Sequence, residues 1–237
     1  LVNSNKNGSN KNGDMKNLLL ILFLTKPLMS FNIKQNHVIK SEEKPKRYVG
    51  LDISHYQTNI KYNQLDVDFV IIKKSEGVTI SDKMFNQHFN NIKTLKGCYH
   101  FFRPECDGVK QAKFFLSGLS IDKLDIIPII DVEICSTWKR YKTTGVKNLN
   151  KFITYIEDSV GCKPIIYTSP HFWNDFVDTN FNSLLWVADY REFDEPELPC
   201  GFDSWAMWQQ TNKHKINTIN GYVDFNVCYD IEIIKLK

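Results

Sequence analysis

The chain has 237 residues, 42% of them hydrophobic, which is enough for a sizeable core. One domain is compatible with that length, because closed α/β barrels run past 200 residues. Thirty Lys and Arg against 27 Asp and Glu leave the chain mildly basic, and no basic stripe interleaves with aromatics, so the footprint of a nucleic-acid binder is absent.

Residues 1–47 form a leader unlike the rest. Residues 3–13, "NSNKNGSNKNG", are polar and low in complexity, a composition that cannot bury enough apolar surface to fold. Next comes "MKNLLLILFLTKPLMS" (15–30), in which Lys16 precedes the apolar run Leu18 to Leu24. That run is too short to span a bilayer, so no stable membrane anchor is expected. It resembles a secretory signal peptide with Met15 as candidate start, although no A-x-A-like cleavage site follows. Residues 31–47, ending "KSEEKPKR", read as a charged linker.

From Tyr48 to the end, residues 48–237 alternate strand-like and helix-like segments. Strands are expected at 48–54, 69–75, 98–103, 129–133, 165–169, 184–190, 206–211 and 222–227. Most are runs of β-branched or aromatic residues, as in strands covered on both faces. Between the early strands, a short helix is expected near 58–66. Phe85, Phe89, Ile92 and Lys96 form a helical stripe with Ser81 or Asp82 as N-cap. Val109, Ala112, Phe115, Leu116 and Leu119 form a second stripe, and Val146, Leu149, Phe152, Ile153 and Ile156 a third. After Tyr190 the helical stripes disappear. The expected fold class is therefore α/β: an irregular TIM-like barrel of five β/α units followed by three β-strands.

Six cysteines, Cys98, Cys106, Cys135, Cys162, Cys200 and Cys228, follow a candidate signal peptide. They suggest up to three disulfides, and Cys106 and Cys135, after the ends of neighbouring strands, are placed to bridge. Buried free thiols are the other reading. No pair has CxxC spacing, and no cluster with His has zinc-ligand spacing, so no metal is expected.

Polar residues gather where the strands end: Asp52 and Ser54; Lys73, Lys74, Ser75 and Glu76; Asp131 and Glu133; Tyr167, Thr168 and Ser169; Asp189 and Tyr190; Trp208, Gln209 and Gln210. In a β/α barrel those ends share one rim, where active sites lie. Any one of them could instead cap the helix that follows. Asp131 and Glu133 are two apart on a strand and so point the same way, while Val132 points to the helices. Two neighbouring carboxylates cannot both ionise cheaply, so one is held as an acid beside an ionised partner, the equipment for cleaving a glycosidic bond. A calcium site, or a pair neutralised by Lys73 and Arg103, would also account for them. Tyr167, Trp186, Tyr190, Trp205 and Trp208 offer aromatic planes of the kind sugar rings pack on, with Trp186 the one expected in the core.

The stretches "GLDISHYQ" (50–57), "DFVIIKKSEG" (68–77), "GCYHFFRP" (97–104), "PIIDVE" (128–133), "KPIIYTS" (163–169), "LWVADY" (185–190), "MWQQT" (207–211) and "GYVDFN" (221–226) occur together and in order. In them the chain resembles the glycoside hydrolase family 25 lysozymes, the Chalaropsis-type or N,O-diacetylmuramidases. The resemblance implies hydrolysis, with retention, of the β-1,4 bond between N-acetylmuramic acid and N-acetylglucosamine in the glycan strand of bacterial peptidoglycan. It implies no cofactor, a monomer, and a protein secreted or delivered to a lysosomal or phagosomal compartment. By that resemblance Glu133 is the general acid and base, and Asp131 is a nucleophile or orients the substrate's N-acetyl group. Asp52 and Asp224 are the remaining acids of the site, and Lys73, Tyr99, Tyr167, Asp189, Tyr190, Trp208 and Gln209 are substrate-lining. Lys74 departs from the family, which has a small or apolar residue there, and by alternation it should face away from the cleft. No cell-wall-binding repeat follows the barrel, which leaves targeting to the cleft or to delivery. A chitinase would need Asp where Ile129 stands, and a barrel that binds glycan without cutting it would not need Glu133.

Overall fold

A computed structural model describes residues 46–237; the signal-peptide segment and nearly all of the leader and linker expected from the sequence lie outside them. In chain order the elements are β1 (Tyr48–Ile53), a 3₁₀ turn (Tyr62–Gln64), β2 (Phe69–Glu76), β3 (Ile80–Ser81), α1 (Phe85–Asn91), β4 (Leu95–Phe101) and α2 (Gly108–Leu116). A second 3₁₀ turn (Ile121–Lys123) leads to β5 (Ile129–Asp131), α3 (Trp138–Val160), β6 (Ile165–Thr168), α4 (Pro170–Phe176), β7 (Leu185–Ala188), β8 (Met207–His214), β9 (Val223–Cys228) and α5 (Ile231–Ile234). None of the described helices is long and apolar enough to cross a membrane.

Eight strands close into a barrel in the order β1-β2-β4-β5-β6-β7-β8-β9, with β9 returning to β1 and β3 as an extra ribbon on β2. All barrel neighbours are parallel except β9, which is antiparallel to both β8 and β1. The eight strands expected from the sequence are these eight. The helix expected near 58–66 is only the 3₁₀ turn, and Lys96 belongs to β4 rather than to α1. Strand β5 ends at Asp131, two residues before Glu133. The extended course nevertheless continues, because Phe102 N–H donates to Asp131 O and Val132 N–H donates to Tyr167 O, both at 2.9 Å.

Side chains on a strand alternate between faces, so each strand divides its residues between barrel interior and helix layer. The interior is apolar near the strand starts, where Phe69, Ile71, Ile129, Ile165, Trp186 and Met207 form one buried cluster. One step further along the same alternation the interior residues turn polar: Lys73 after Ile71, Asp131 after Ile129, Gln209 after Met207. The other parity, Val70, Ile72, Ile130, Val132 and Ile166, packs outward against Phe115, Trp138, Phe152 and Trp173 of the helices. Burying each such side chain contributes about 1.5–3 kcal/mol, so the outer layer and the barrel floor together hold the rim in place.

Local devices fix the helices. Asp107 caps α2 by accepting from Lys110 N–H at 3.0 Å. Gly108 lets α2 approach α3, since a Cβ there would lie 1.8 Å from the Asn148 carbonyl oxygen. All six cysteines are free thiols in this structure, so the expected Cys106–Cys135 bridge is not formed. Burial, with the Glu105 charge, raises the Cys106 thiol, and the Arg103 guanidinium opposes that shift. Cys98 and Cys228 are buried in separate core clusters, where burial pushes their thiols up to about 12 and about 11.

Candidate active site

Where the interior turns polar, the barrel opens into a cleft of two lobes. One, of about 200 Å³, is lined by Asp52, Tyr99, Asp131, Glu133, Tyr167, Trp186, Tyr190, Gln209, Asn212 and Asp224. The other, of about 350 Å³, runs toward Ser54, Tyr56, Gln57, Lys73, Glu76 and Phe101. Asp52, Tyr99, Asp131, Glu133 and Asp224 line both, so the four acids stand where the lobes meet. A larger hollow, about 550 Å³, lies at the opposite end of the barrel beside Leu184 and Ala206; its acids, Glu157 and Asp203, are not buried, so the chemistry is placed at the cleft.

Asp52 is held by amides. Its Oδ2 accepts from Gln209 Nε2 and from Asn226 Nδ2, both at 2.8 Å. Gln209 Oε1 in turn accepts from Tyr167 Oη at 2.9 Å and from Tyr190 Oη at 2.5 Å, and Asn226 Oδ1 accepts from Trp186 Nε1 at 2.9 Å. Each amide therefore presents its donor to the carboxylate, its orientation set by the hydroxyls or indole behind it. Asp224 stands opposite Asp52 in the β1–β9 register, near enough for the two carboxyls to bond when one of them is protonated. Burial raises Asp52 against its amide hydrogen bonds, and burial, then the Asp52 charge, pushes Asp224 up to about 8, so near neutrality the pair holds a proton between its two carboxyls.

Asp131 and Glu133 are also raised. Burial is the main cause for both; the neighbouring Glu133 charge lifts Asp131 well above the usual carboxylate range, and Asp52 adds to Glu133. Lys73 opposes both shifts without pairing with either. Instead Lys73 Nζ binds Glu76 Oε2 at 2.9 Å, and Arg103 Nε binds Glu76 Oε1 at 2.9 Å. Burial alone would raise Glu76, but these two cations hold it below its ordinary value. The alternative in which Lys73 and Arg103 neutralise the Asp131–Glu133 pair is not realised, because both cations are engaged by Glu76. Asp131 Oδ1 is buried without a hydrogen-bond partner, which is costly unless a ligand supplies one. Glu133 is the more exposed of the two.

The glycosyl hydrolases family 25 model matches residues 51–219. The chain belongs to this family. It is therefore a glycoside hydrolase. Over 195 residues it is 30% identical to the Escherichia coli K12 protein YegX, covering 75% of this chain and 68% of that one. It is 28% identical to the N,O-diacetylmuramidase of a Chalaropsis species, covering 74% of this chain and 95% of that one. The bacterial lysozyme of Streptomyces coelicolor superposes with a TM-score of 0.69 at 27% identity, over 76% of this chain and 90% of that one.

In this family 25 barrel the cleft brings together nine of the eleven expected site residues: Asp52, Asp131, Glu133, Asp224, Lys73, Tyr99, Tyr167, Tyr190 and Gln209. Trp208 and Asp189 do not line it. Each is one residue from an interior position, Gln209 or Tyr190, so alternation turns it outward. Trp208 packs with Leu185, Val187 and Val227, and its Nε1 donates to Asp189 O at 2.7 Å. The Asp189 carboxylate is a staple. It accepts from Arg191 Nε at 2.9 Å, Arg191 Nη2 at 2.7 Å and Glu197 N at 2.8 Å, and those bonds hold it below its ordinary value. It thereby fastens the segment that carries Tyr190. Sequence reading missed Asn226 and Asn212, and took Trp186 for core alone, whereas it is buried and also floors the cleft. Parity would have found Asn226, two residues from Asp224 on one strand; Asn212 has no such signal. Lys74 faces the helices as expected, its Nζ donating to Ser117 O at 2.9 Å. A bulge between Lys73 and Ser75 lets Lys73 and Glu76 both serve the rim.

Proposed function

We propose that the protein is a muramidase, hydrolysing the β-1,4 bond between N-acetylmuramic acid and N-acetylglucosamine in bacterial peptidoglycan. The observation that carries this reading is the raised Asp131–Glu133 pair at the junction of two cleft lobes, where a glycan can lie with one sugar on each side. Glu133, raised and reachable, donates its proton to the glycosidic oxygen as the C1–O bond breaks, then takes a proton from the attacking water. Asp131 attacks C1 or accepts the N–H of the 2-acetamido group so that its carbonyl oxygen attacks. The unpartnered Oδ1 favours the second role, because a substrate N–H would satisfy it. The Asp52–Asp224 pair, with its single proton, limits the charge facing the site, and Lys73, Tyr99, Tyr167, Tyr190 and Gln209 hold the sugars.

One chain builds the whole cleft, which supports action as a monomer, and a wall substrate supports secretion or delivery to a phagosomal compartment. The test is Glu133→Gln. Purified protein should clear a turbid suspension of bacterial walls and release reducing N-acetylmuramic acid ends, and the variant should lose this by at least about a thousandfold while keeping its fold. Clearing by the variant at the parent rate, or release of reducing N-acetylglucosamine ends by the parent, would overturn the assignment.

A further inference from the structure

Seven large apolar side chains stand exposed among the described residues, and six of them lie at the cleft end of the barrel: Tyr56, Ile80, Ile134, Tyr190, Phe193 and Tyr222. Topology places each one. Tyr56 follows β1, Ile80 lies on the ribbon beyond β2, and Ile134 follows Glu133. Tyr190 and Phe193 follow β7, and Tyr222 precedes β9, which starts at this end because it runs antiparallel. The seventh, Ile233, belongs to α5 and borders the hollow at the opposite end.

The six come from five different connections, so they surround the cleft instead of covering one face. They are also continuous with it, since Tyr56 lines one lobe and Tyr190 the other. Three of the six are carried on tied backbone: Gln57 Nε2 donates to Tyr222 O at 3.4 Å, and the Asp189 staple holds the segment bearing Tyr190 and Phe193. Four are aromatic. An aromatic ring on a fixed backbone offers a large amphipathic contact at low entropic cost, and exposed apolar groups concentrated around a site mark an interaction surface.

We propose that this collar docks the protein onto the insoluble wall polymer, its rings packing on sugars outside the bond being cut, including those of neighbouring strands. The proposal rests on the muramidase reading for the identity of the polymer. Soluble fragments that fill only the two lobes do not need the collar; an insoluble wall presents far more sugar surface than the lobes can enclose.

The outer members Ile80, Phe193 and Tyr222 are changed together to Ser, and each singly in case the triple variant folds poorly. Ile233→Ser serves as control. Binding is read by cosedimentation with purified bacterial walls in a Glu133→Gln background, and catalysis by hydrolysis of a soluble tetrasaccharide in the parent background. Wall binding should weaken about tenfold or more in the triple variant, corresponding to partial loss of three ring or side-chain contacts, and in smaller steps in the single ones. Soluble hydrolysis and the Ile233→Ser control should stay within about twofold of their parents. Unchanged sedimentation, or soluble hydrolysis that falls in proportion to wall binding, would overturn the collar. So would a parent that cleaves the tetrasaccharide but does not sediment with walls. A parent that sediments with walls and cleaves neither substrate defeats the muramidase reading and leaves the collar standing.

Discussion

Replacing Asp224 with Asn isolates the shared proton. In the parent, Asp224 rises from 3.8 to about 8, burial first and the Asp52 charge second. A folded pKa above the unfolded one means that the native state binds the proton more tightly. The resulting stability is fully present below about pH 4 and is lost as pH rises toward 8. A difference of about four units at 1.36 kcal/mol each sets an upper bound near 6 kcal/mol. Asp224 is partly exposed and shares the interaction with Asp52, which halves this to about 3 kcal/mol. The amide introduced by Asp224→Asn would keep a donor toward Asp52 and carry no charge at any pH. The stability of Asp224→Asn relative to the parent should therefore climb by about 3 kcal/mol between about pH 4.5 and about pH 8.5. Urea unfolding at constant ionic strength across that range measures it, with the midpoint compared at unchanged slope. Parallel pH dependences in the two proteins would show that Asp224 is not the proton carrier and would remove the basis for placing one proton on the Asp52–Asp224 pair.

Three further outcomes are expected. Asn226→Ala removes one of two donors to Asp52 and leaves the buried Trp186 Nε1 unpaired, so stability should fall by about 1–3 kcal/mol and wall lysis with it, by denaturant titration and turbidity. Asp189→Ala frees the segment bearing Tyr190, and the KM for a soluble glycan should rise severalfold with kcat little changed; Asp189→Glu, if it restores the Arg191 contact, should recover part of the loss. Lys74 is buried with one carbonyl for a partner, and burial lowers its pKa, so it is a destabilising charge at neutral pH. Lys74→Met should raise the melting temperature by a few degrees, about 1 kcal/mol, without altering lysis, by scanning calorimetry and turbidity.

The strand runs were legible without coordinates, because strands covered on both faces of a sheet are largely apolar, and most of the eight expected strands show such runs before turning polar at their ends. The family, too, was legible, in motifs spread from Gly50 to Asn226. Asp131 and Glu133 could be placed on one face from their spacing alone, because the strand period is two whatever the partner strands do. The same rule, applied throughout, would have turned Trp208 and Asp189 outward and found Asn226. What no spacing carries is which distant groups meet. Asp52 and Asp224 are 172 positions apart, and only barrel closure through the antiparallel β9 puts them in register. That Lys73 and Arg103 are held by Glu76, leaving Asp131 Oδ1 without a partner, depends on a bulge in β2 and on a side chain from the segment that follows β4. Local pattern determines which way a side chain points. Protonation depends on the burial and neighbouring charges that packing supplies, and so the charge state of this cleft belonged to the tertiary structure.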